Sequence, residues 1–421
     1  MINTKYISEY TDITNNFNAE WNILPTLKIV GRLGITYEKS SEDDFKPANH
    51  TDFVLYTGDD IYRKGSYYKS NGTNSLINGD LGVNYSIAIG KHALFLNGQG
   101  SFSSISSDLS SMIAEGFSND NMDHIIFATQ YQKDGKPGGS EARSHTLGGV
   151  VSANYSYDER FLADANYRLA GSSEFGVNSR WGSFWSLGVG WNLHNESFLK
   201  NGHVIDQLKP RESTGYTGSQ GFSTYAALAT VRYYTDSSYD GNIGSYLVGL
   251  ANPYLQWQKK YDQNYGVDFK LLNNRISGRF DYYTATTKGM LTDVTLPQST
   301  GFSSYIENLG ETENKGFEVS LNYKLLENKA TNSYLNLYGS IAHNENKLKK
   351  ISESLREYNS AQDAIKDQAD DAANKVQQTT PSVRFEEGKS MNAIWAVKSL
   401  GIDPTNGKEI FVKKNGDVTY E

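Results

Sequence analysis

The sequence predicts an all-β chain, the partial wall of a transmembrane antiparallel β-barrel with about 13 strands and long extracellular loops. Three observations carry this: long runs of period-two alternation, tryptophans on the apolar face of one run, and short turns that alternate with long polar loops. In Phe161, Ala163, Ala165, Tyr167, Leu169 every other side chain is apolar, with Asp164, Asn166 and Arg168 between them. The next run repeats the pattern, with Trp185, Leu187, Val189, Trp191 and Leu193 set against Ser186, Gly188, Gly190 and Asn192. A strand sends successive side chains to opposite faces, so each run has an apolar and a polar face.

Alternation alone fits a soluble sandwich equally well; strand length and aromatics lean toward the barrel, with core tryptophans as the alternative. From Gly182 to Leu193 is about 12 residues, which at roughly 3.3 Å each and a tilt near 45° spans roughly 28 Å, close to the apolar band of an outer-membrane barrel. Soluble strands are usually about half as long. Trp185 and Trp191, joined by Tyr155, are read as membrane-interface aromatics, with Leu187 and Val189 in the hydrocarbon between the two tryptophans.

Composition agrees. With Gly 39, Tyr 29 and 13% aromatics in 421 residues, strands and tight turns are favoured over helices. No stretch approaches the roughly 18 apolar residues of a membrane helix, which leaves barrel strands untouched because they are apolar only on alternate residues. Zero cysteines exclude disulfides and thiolate chemistry. A net charge of -8 without a basic stripe argues against nucleic acid as a partner. Met1 to Glu20 lacks a basic start, an apolar core and a small-residue cleavage site, so no signal peptide is expected in this chain.

In chain order, Asp12 to Asn22 is a strand candidate ending near Pro25, and Leu27, Ile29, Leu33, Ile35 and Tyr37 form the next apolar face. Glu38 to Gly79, dense in Ser, Asp, Asn and Gly, reads as a large loop. Leu81, Val83, Tyr85, Ile87 and Ile89 resume the period and turn at Gly90-Lys91-His92 into Ala93 to Phe102. Ser103 to Ser144 reads as a second long loop before Leu147, Val151, Tyr155 and Tyr157, and Tyr157 to Arg160 is a tight turn. Gly171 to Trp181 is a medium loop, His194 to Leu199 a short one, and Ser213 to Tyr261 a long one. A strand from Val204 to Thr214 carries Pro210, which has no N–H to give a ladder, so a bulge is expected there. Tyr265, Val267 and Phe269 turn at Leu272-Asn273-Asn274 into Ile276, Phe280 and Tyr282. Lys288 to Thr312 is long; Phe317 to Tyr323 turns at Glu327 to Asn332 into Leu335 to His343. In the closing polar segment Glu345 to Ser390, Leu355 to Val376 is expected to be a surface helix. A meandering membrane barrel keeps this parity, with short periplasmic turns and long outer loops, whereas a Greek key has no reason to.

Several stretches carry a family likeness. Arg168, Gly171, Ser172, Ser173, Phe175 and Gly176, followed by Arg180, Trp181, Gly182 and Phe184, resemble the signature of the SusC/RagA family of TonB-dependent outer-membrane transporters of Bacteroidetes. Asn252-Pro253-Tyr254-Leu255-Gln256-Trp257, Leu296 to Phe302, Asn308-Leu309-Gly310, Asn314 to Glu318 and Gly388 to Trp395 are similar to further family segments in the family's order. Departures are Ala170 for an acidic residue, Glu174 for a basic or polar one, and Trp185 where proline is frequent. The resemblance implies a 22-stranded barrel with a plug, of which residues 1–421 would be a receptor barrel region truncated at both ends. It implies import of nutrient oligomers, glycans first and peptides second, in the cell outer membrane, among membrane lipids, with TonB and a SusD-like surface lipoprotein as partners. A passive porin or adhesin barrel and a soluble β-rich glycan-binding module stay open as alternatives.

Polar-face residues are the candidates for the lumen: Asp164, Asn166, Arg168, Asn192, Asp268, Arg279 and Glu318, together with Lys28, Arg32, Asp281 and Asn322. Tyr62, Tyr67, Tyr68 and Tyr239 are candidates to stack on sugar rings. Asp43-Asp44 and Asp59-Asp60 lack EF-hand spacing, the histidines lack zinc spacing, and no nucleophile elbow or phosphate loop occurs. No catalytic, cofactor or metal residue is assigned, and an enzyme is not expected.

Overall fold

The computed structural model describes residues 3–133, 135–200, 202, 204–219, 224–296, 298–302, 304–308, 310–328, 331, 333–351, 356–357, 359–360, 384–394, 398–412 and 416–420. Its strands are β1 (Lys5–Leu24), β2 (Leu27–Lys46), β3 (Ser66–Ile89), β4 (His92–Glu115), β5 (Gln130–Tyr131), β6 (Gly138–Tyr157), β7 (Phe161–Ser172), β8 (Trp181–Trp191), β9 (Ile205–Ser219), β10 (Thr230–Tyr239), β11 (Asn242–Gly249), β12 (Gln258–Leu271), β13 (Ile276–Lys288), β14 (Leu291–Thr295), β15 (Ser304–Asn308), β16 (Glu311–Asn328), β17 (Ser333–Lys350), β18 (Lys398–Ile402), β19 (Glu409–Val412) and β20 (Val418–Thr419). Thirteen of these form one sheet in meander order, β1-β2-β3-β4-β6-β7-β8-β9-β12-β13-β16-β17, with the short β5 beside β4. Every pairing is antiparallel. Two hairpins, β10-β11 and β14-β15, and a small sheet β18-β19-β20 stand apart.

The connection parity holds. Residues 25–26, 90–91, 158–160, 192–204, 272–275 and 329–332 close one end of the wall, and 47–65, 116–137, 173–180, 220–257 and 289–310 the other. One pair is out of proportion, since 192–204 is longer than 173–180. The tight turns use left-handed backbone, Asp158 and Glu159 at φ 53 and 55, and Leu272, Asn273 and Asn274 at φ 56, 57 and 58. Asp and Asn tolerate that region because their short polar side chains bond locally.

The register keeps two faces distinct across the wall. Tyr85, Leu96, Ala153, Ala165 and Leu187 are successive cross-strand partners on one face, and Asn154, Asp164, Gly188, Ser213 and Asn264 on the other. Trp185, Leu187 and Val189 are 37%, 50% and 56% exposed. Among the described residues no second sheet or helical layer covers them, as a packed sandwich would require.

Three expectations change. Glu38 to Gly79 and Ser103 to Ser144 are not loops through their length: β2, β3, β4 and β6 run through most of both, leaving 47–65 and 116–137 as connections. Pro210 makes no bulge, since it pairs in register with Val267, and the β8-β9 ladder ends at Gly190↔Arg211, one residue short of it. The missing N–H therefore falls where pairing has stopped. Trp185 and Trp191 do not bracket the apolar band: they are six residues apart, roughly 14 Å along a strand tilted near 45°, about half the band. Trp181, on the same face and 56% exposed, stands roughly 23 Å from Trp191, a separation closer to that of the band. The expected helix Leu355 to Val376 lies mostly outside the described residues.

Above the band, at the long-loop end, Phe45, Tyr67 and Phe117 form a small core at 0%, 2% and 3% exposure. Phe45 meets Phe117 edge-on at 5.1 Å between ring centroids. Arg63 pairs with the buried Glu115 carboxylate at 2.9 Å beside it.

Candidate functional site

Two places concentrate specific chemistry, the inner wall and the rim of the long-loop end. On the inner wall, β9, β12 and β13 bring Arg211, Gly266 and Asp281 into one cross-strand row. Gly266 has no side chain, so the Arg211 guanidinium lies over it and reaches Asp281 at 2.5 Å, Asp268 at 3.1 Å and Asn264 at 3.3 Å. Arg279 bonds Asp268 at 2.9 Å and stands 3.7 Å from Asp281. Glu318 is Asp281's partner on β16. Five charges thus line one stretch of wall, and each carboxylate of the Asp268 and Asp281 pair faces two arginines. Ionised hydrogen bonds of this kind are about twice as strong as neutral ones, which holds the network rigid.

Of the residues expected to line the lumen, Asp164, Asn166 and Arg168 share the inner face of β7, and the Asn166 amide donates to Ser186 at 3.2 Å. Asp268, Arg279 and Asp281 come together in the network, and Glu318 stands opposite Asp281 in the ladder. Asn192 does not join them: it lies past the end of β8, where its amide donates to the Glu159 carbonyl at 2.7 Å and fastens the turn. Lys209 and Arg211 were not expected, although the same every-other-residue count along β9 selects them. They border an inner-face cavity of about 710 Å³ together with Phe95, Asn154, Leu162 and Asp164.

The rim explains the shared signature residues. Phe175 is 2% exposed and lies against Trp257 at 4.3 Å between ring centroids, and Phe184 meets the same indole edge-on at 5.5 Å. The Gly176 N–H donates to the Leu255 carbonyl at 3.1 Å, and Asn178 N–H to that of Pro253 at 3.2 Å. A side chain at Gly176 would collide with the Pro253 and Asn252 carbonyls. Trp257 Nε1 donates to the Arg180 carbonyl at 3.2 Å. Ser172 and Ser173 fasten the loop base, Ser172 N–H donating to Arg180 O and Ser173 exchanging bonds with the His145 backbone. Gly171 and Gly182 leave room for the rings of Trp181, Phe184 and Trp257.

A third loop is stitched to the second. The buried Asn252 donates its amide to the Ile306 carbonyl at 2.9 Å, and Asn308 accepts from Gln256 N–H at 2.9 Å while donating to the Gln256 and Gly289 carbonyls. The loops 173–180, 220–257 and 289–310 are therefore one assembly, held by backbone bonds that two asparagine side chains complete. Of the candidate stacking tyrosines, Tyr62 is 78% exposed, Tyr68 is half-buried, and Tyr67 belongs to the small core instead. The side chain of Tyr239 lies outside the described residues. Asp43 is already engaged by Lys69 at 2.9 Å.

This combination, a two-faced meander with an exposed apolar side, matches a described family: the model for "TonB dependent receptor-like, beta-barrel" covers residues 3–385. The chain belongs to the TonB-dependent receptor β-barrel family. It is 31% identical over 268 residues to TonB-dependent receptor P39 of Formosa agariphila, covering 63% of this chain and 23% of that protein. To TonB-dependent receptor SusC of Bacteroides thetaiotaomicron it is 34% identical over 205 residues, 47% of this chain and 20% of that one. In the structure of the RagAB peptide transporter the fold recurs with a TM-score of 0.82 at 22% identity, over 99% of this chain and 44% of that one. The resemblance to SusC/RagA proteins therefore holds, and the fold is that of a receptor barrel wall. The chain spans about a quarter of the length of the curated relatives it matches. TonB-dependent transporters are not enzymes, in keeping with a sequence in which no catalytic residue was assigned.

Proposed function

We propose that this chain is part of the barrel of an outer-membrane active transporter that imports nutrient oligomers, drawing energy through TonB and receiving cargo from a SusD-like surface lipoprotein. The observation that carries the reading is the wall's opposed faces: Trp181, Leu187 and Val189 outward and uncovered, and the Arg211-Asp268-Arg279-Asp281 network inward. In this orientation the stitched loops form the extracellular rim and the short turns face the periplasm.

A glycan is the preferred cargo. Tyr62, Tyr233 and Tyr254 are exposed on the long-loop side at 78%, 65% and 70%, and flat rings with a polar tip suit sugar faces. Peptides are the second reading, favoured by the recurrence of the fold in a protein named as a peptide transporter. The test is deletion of the gene in its host, followed by growth on single glycans or peptides as the limiting nutrient. Loss of growth on one oligomer class, reproduced when TonB is removed, is the expected result. Uptake that persists without TonB returns the passive porin, and recovery of the protein in the aqueous fraction without detergent returns the soluble module.

A further inference from the structure

One row of the outward face runs through Leu94, Tyr155, Ala163, Val189, Glu212 and Tyr265 as successive cross-strand partners. Glu212 is the single charge in that row. It is exposed, and among the described residues no side chain bonds or pairs with it. It borders an outward groove of about 530 Å³ whose other walls include Phe161, Ala163, Val189, Trp191 and Pro210.

Depth gives the carboxylate a meaning. Val189, its ladder partner, is two residues from the interface residue Trp191, so Glu212 stands roughly 5 Å inside the aromatic edge. There a lipid's headgroup gives way to its acyl chains. A charge on the lipid face costs several kcal/mol at the midplane and little near the interface, so the position tolerates an anion, and it favours one that finds a cation.

We propose that this groove is a phospholipid site, in which Glu212 accepts hydrogen bonds from the primary ammonium of a phosphatidylethanolamine headgroup and one acyl chain lies along Phe161, Val189, Trp191 and Pro210. Charge selects the occupant. An anionic phosphatidylglycerol is repelled, and the quaternary ammonium of phosphatidylcholine brings charge but no N–H to donate. The proposal rests on the orientation given above, which turns this end of the wall to the periplasmic leaflet.

The experiment uses the complete protein extracted from its outer membrane in mild detergent. Native mass spectrometry follows exposure to an equimolar mixture of phosphatidylethanolamine, phosphatidylcholine and phosphatidylglycerol. The wild type is expected to retain phosphatidylethanolamine over phosphatidylglycerol by about threefold, the scale of a partly solvated ion pair. Glu212→Gln, which keeps the shape, loses the preference. Ala163→Trp, which fills the groove and leaves the carboxylate, loses bound lipid of every kind. An equal preference in wild type and Glu212→Gln overturns the proposal, as does cross-linking of two copies through Ala163→Cys, which would make a second copy the occupant. Fractionation of the same cells separates the two failures: protein in the outer membrane without lipid preference refutes the lipid site alone, and protein in the aqueous fraction refutes the wall beneath it.

Discussion

Trp191 donates its indole N–H to the Glu196 carboxylate at 2.9 Å, and Arg160 completes the contact from the preceding turn with bonds of 2.8 and 2.5 Å. Trp191 ends β8 and Glu196 lies in the turn that follows, so the indole is latched to the closed end of the wall. Phe161 stacks on Trp191 at 5.8 Å and carries Arg160 over its own ring at 5.2 Å.

The latch predicts a pH dependence. Arg160's hydrogen bonds, and then Trp191's, hold the Glu196 carboxyl below its ordinary value of 4.5. A carboxyl depressed in the folded state contributes stability that is full above its unfolded value and disappears as pH falls through the folded one. Glu196→Gln should therefore lower the urea midpoint of the barrel at neutral pH, and the gap to wild type should close below pH 4.5. A gap that stays constant on acidification would show that the carboxylate charge is not what holds the turn.

What was legible in the sequence follows from which solvent each stretch meets. Residues 161–191 announced their strands because one face meets hydrocarbon and the other water, so alternation was forced. Glu38 to Lys46 and Ser66 to Leu76 are equally extended, but they rise above the band, where no hydrocarbon selects a continuous apolar side and burial falls on single residues such as Phe45 and Tyr67. Ser, Asn and Asp there looked like loop. The inner network was half visible: Asp268, Arg279 and Asp281 sit at polar positions, whereas the reach of Arg211 across Gly266 joins three strands and has no period. The rim contacts of Phe175 with Trp257 and of Asn308 with Gln256 link segments that are distant in the chain, so a family resemblance could mark those residues without saying what they touch.

Phe175 tests the rim. Its buried ring packs on Trp257, the indole that Phe184 also meets, and removing a buried phenyl group costs about 3–5 kcal/mol. That loss should fall on the loops rather than the strands. Phe175→Ala is expected to expose 173–180 and 220–257 to limited proteolysis while the barrel keeps its heat-modifiable mobility on gels. Gly176→Ala should do the same through its clash with the Pro253 carbonyl, whereas Gly98→Ala on β4, with nothing within 4 Å, should not.

Arg211 and Arg279 serve the same two aspartates unequally. The Arg211 side chain is 24% exposed and that of Arg279 is 60% exposed. Removing the sheltered cation leaves Asp268 and Asp281 short of partners, and leaving a buried polar group unsatisfied costs about 1–3 kcal/mol, more where it is charged. Arg211→Gln is expected to lower the urea midpoint clearly and Arg279→Gln to lower it little. Gly266→Ala should resemble Arg211→Gln, because its methyl occupies the place of the guanidinium. A Gly266→Ala barrel as stable as wild type would mean that the arginine does not need to cross β12.

The two faces of the wall make a last, opposed pair of predictions. Leu187 points outward at mid-span and is 50% exposed, and an arginine on the lipid face costs about 2–4 kcal/mol near the midplane. Asn166, one strand away on the inner face, makes a single amide bond to Ser186. An arginine there meets water, for a change of under about 1 kcal/mol. In refolding into lipid vesicles, Leu187→Arg should reduce the folded fraction at intermediate urea strongly, and Asn166→Arg should leave it near wild type. The order matters more than either value. Only hydrocarbon on one side separates the two substitutions, since both add the same charge to neighbouring strands, and equal penalties would mean that both faces meet the same solvent.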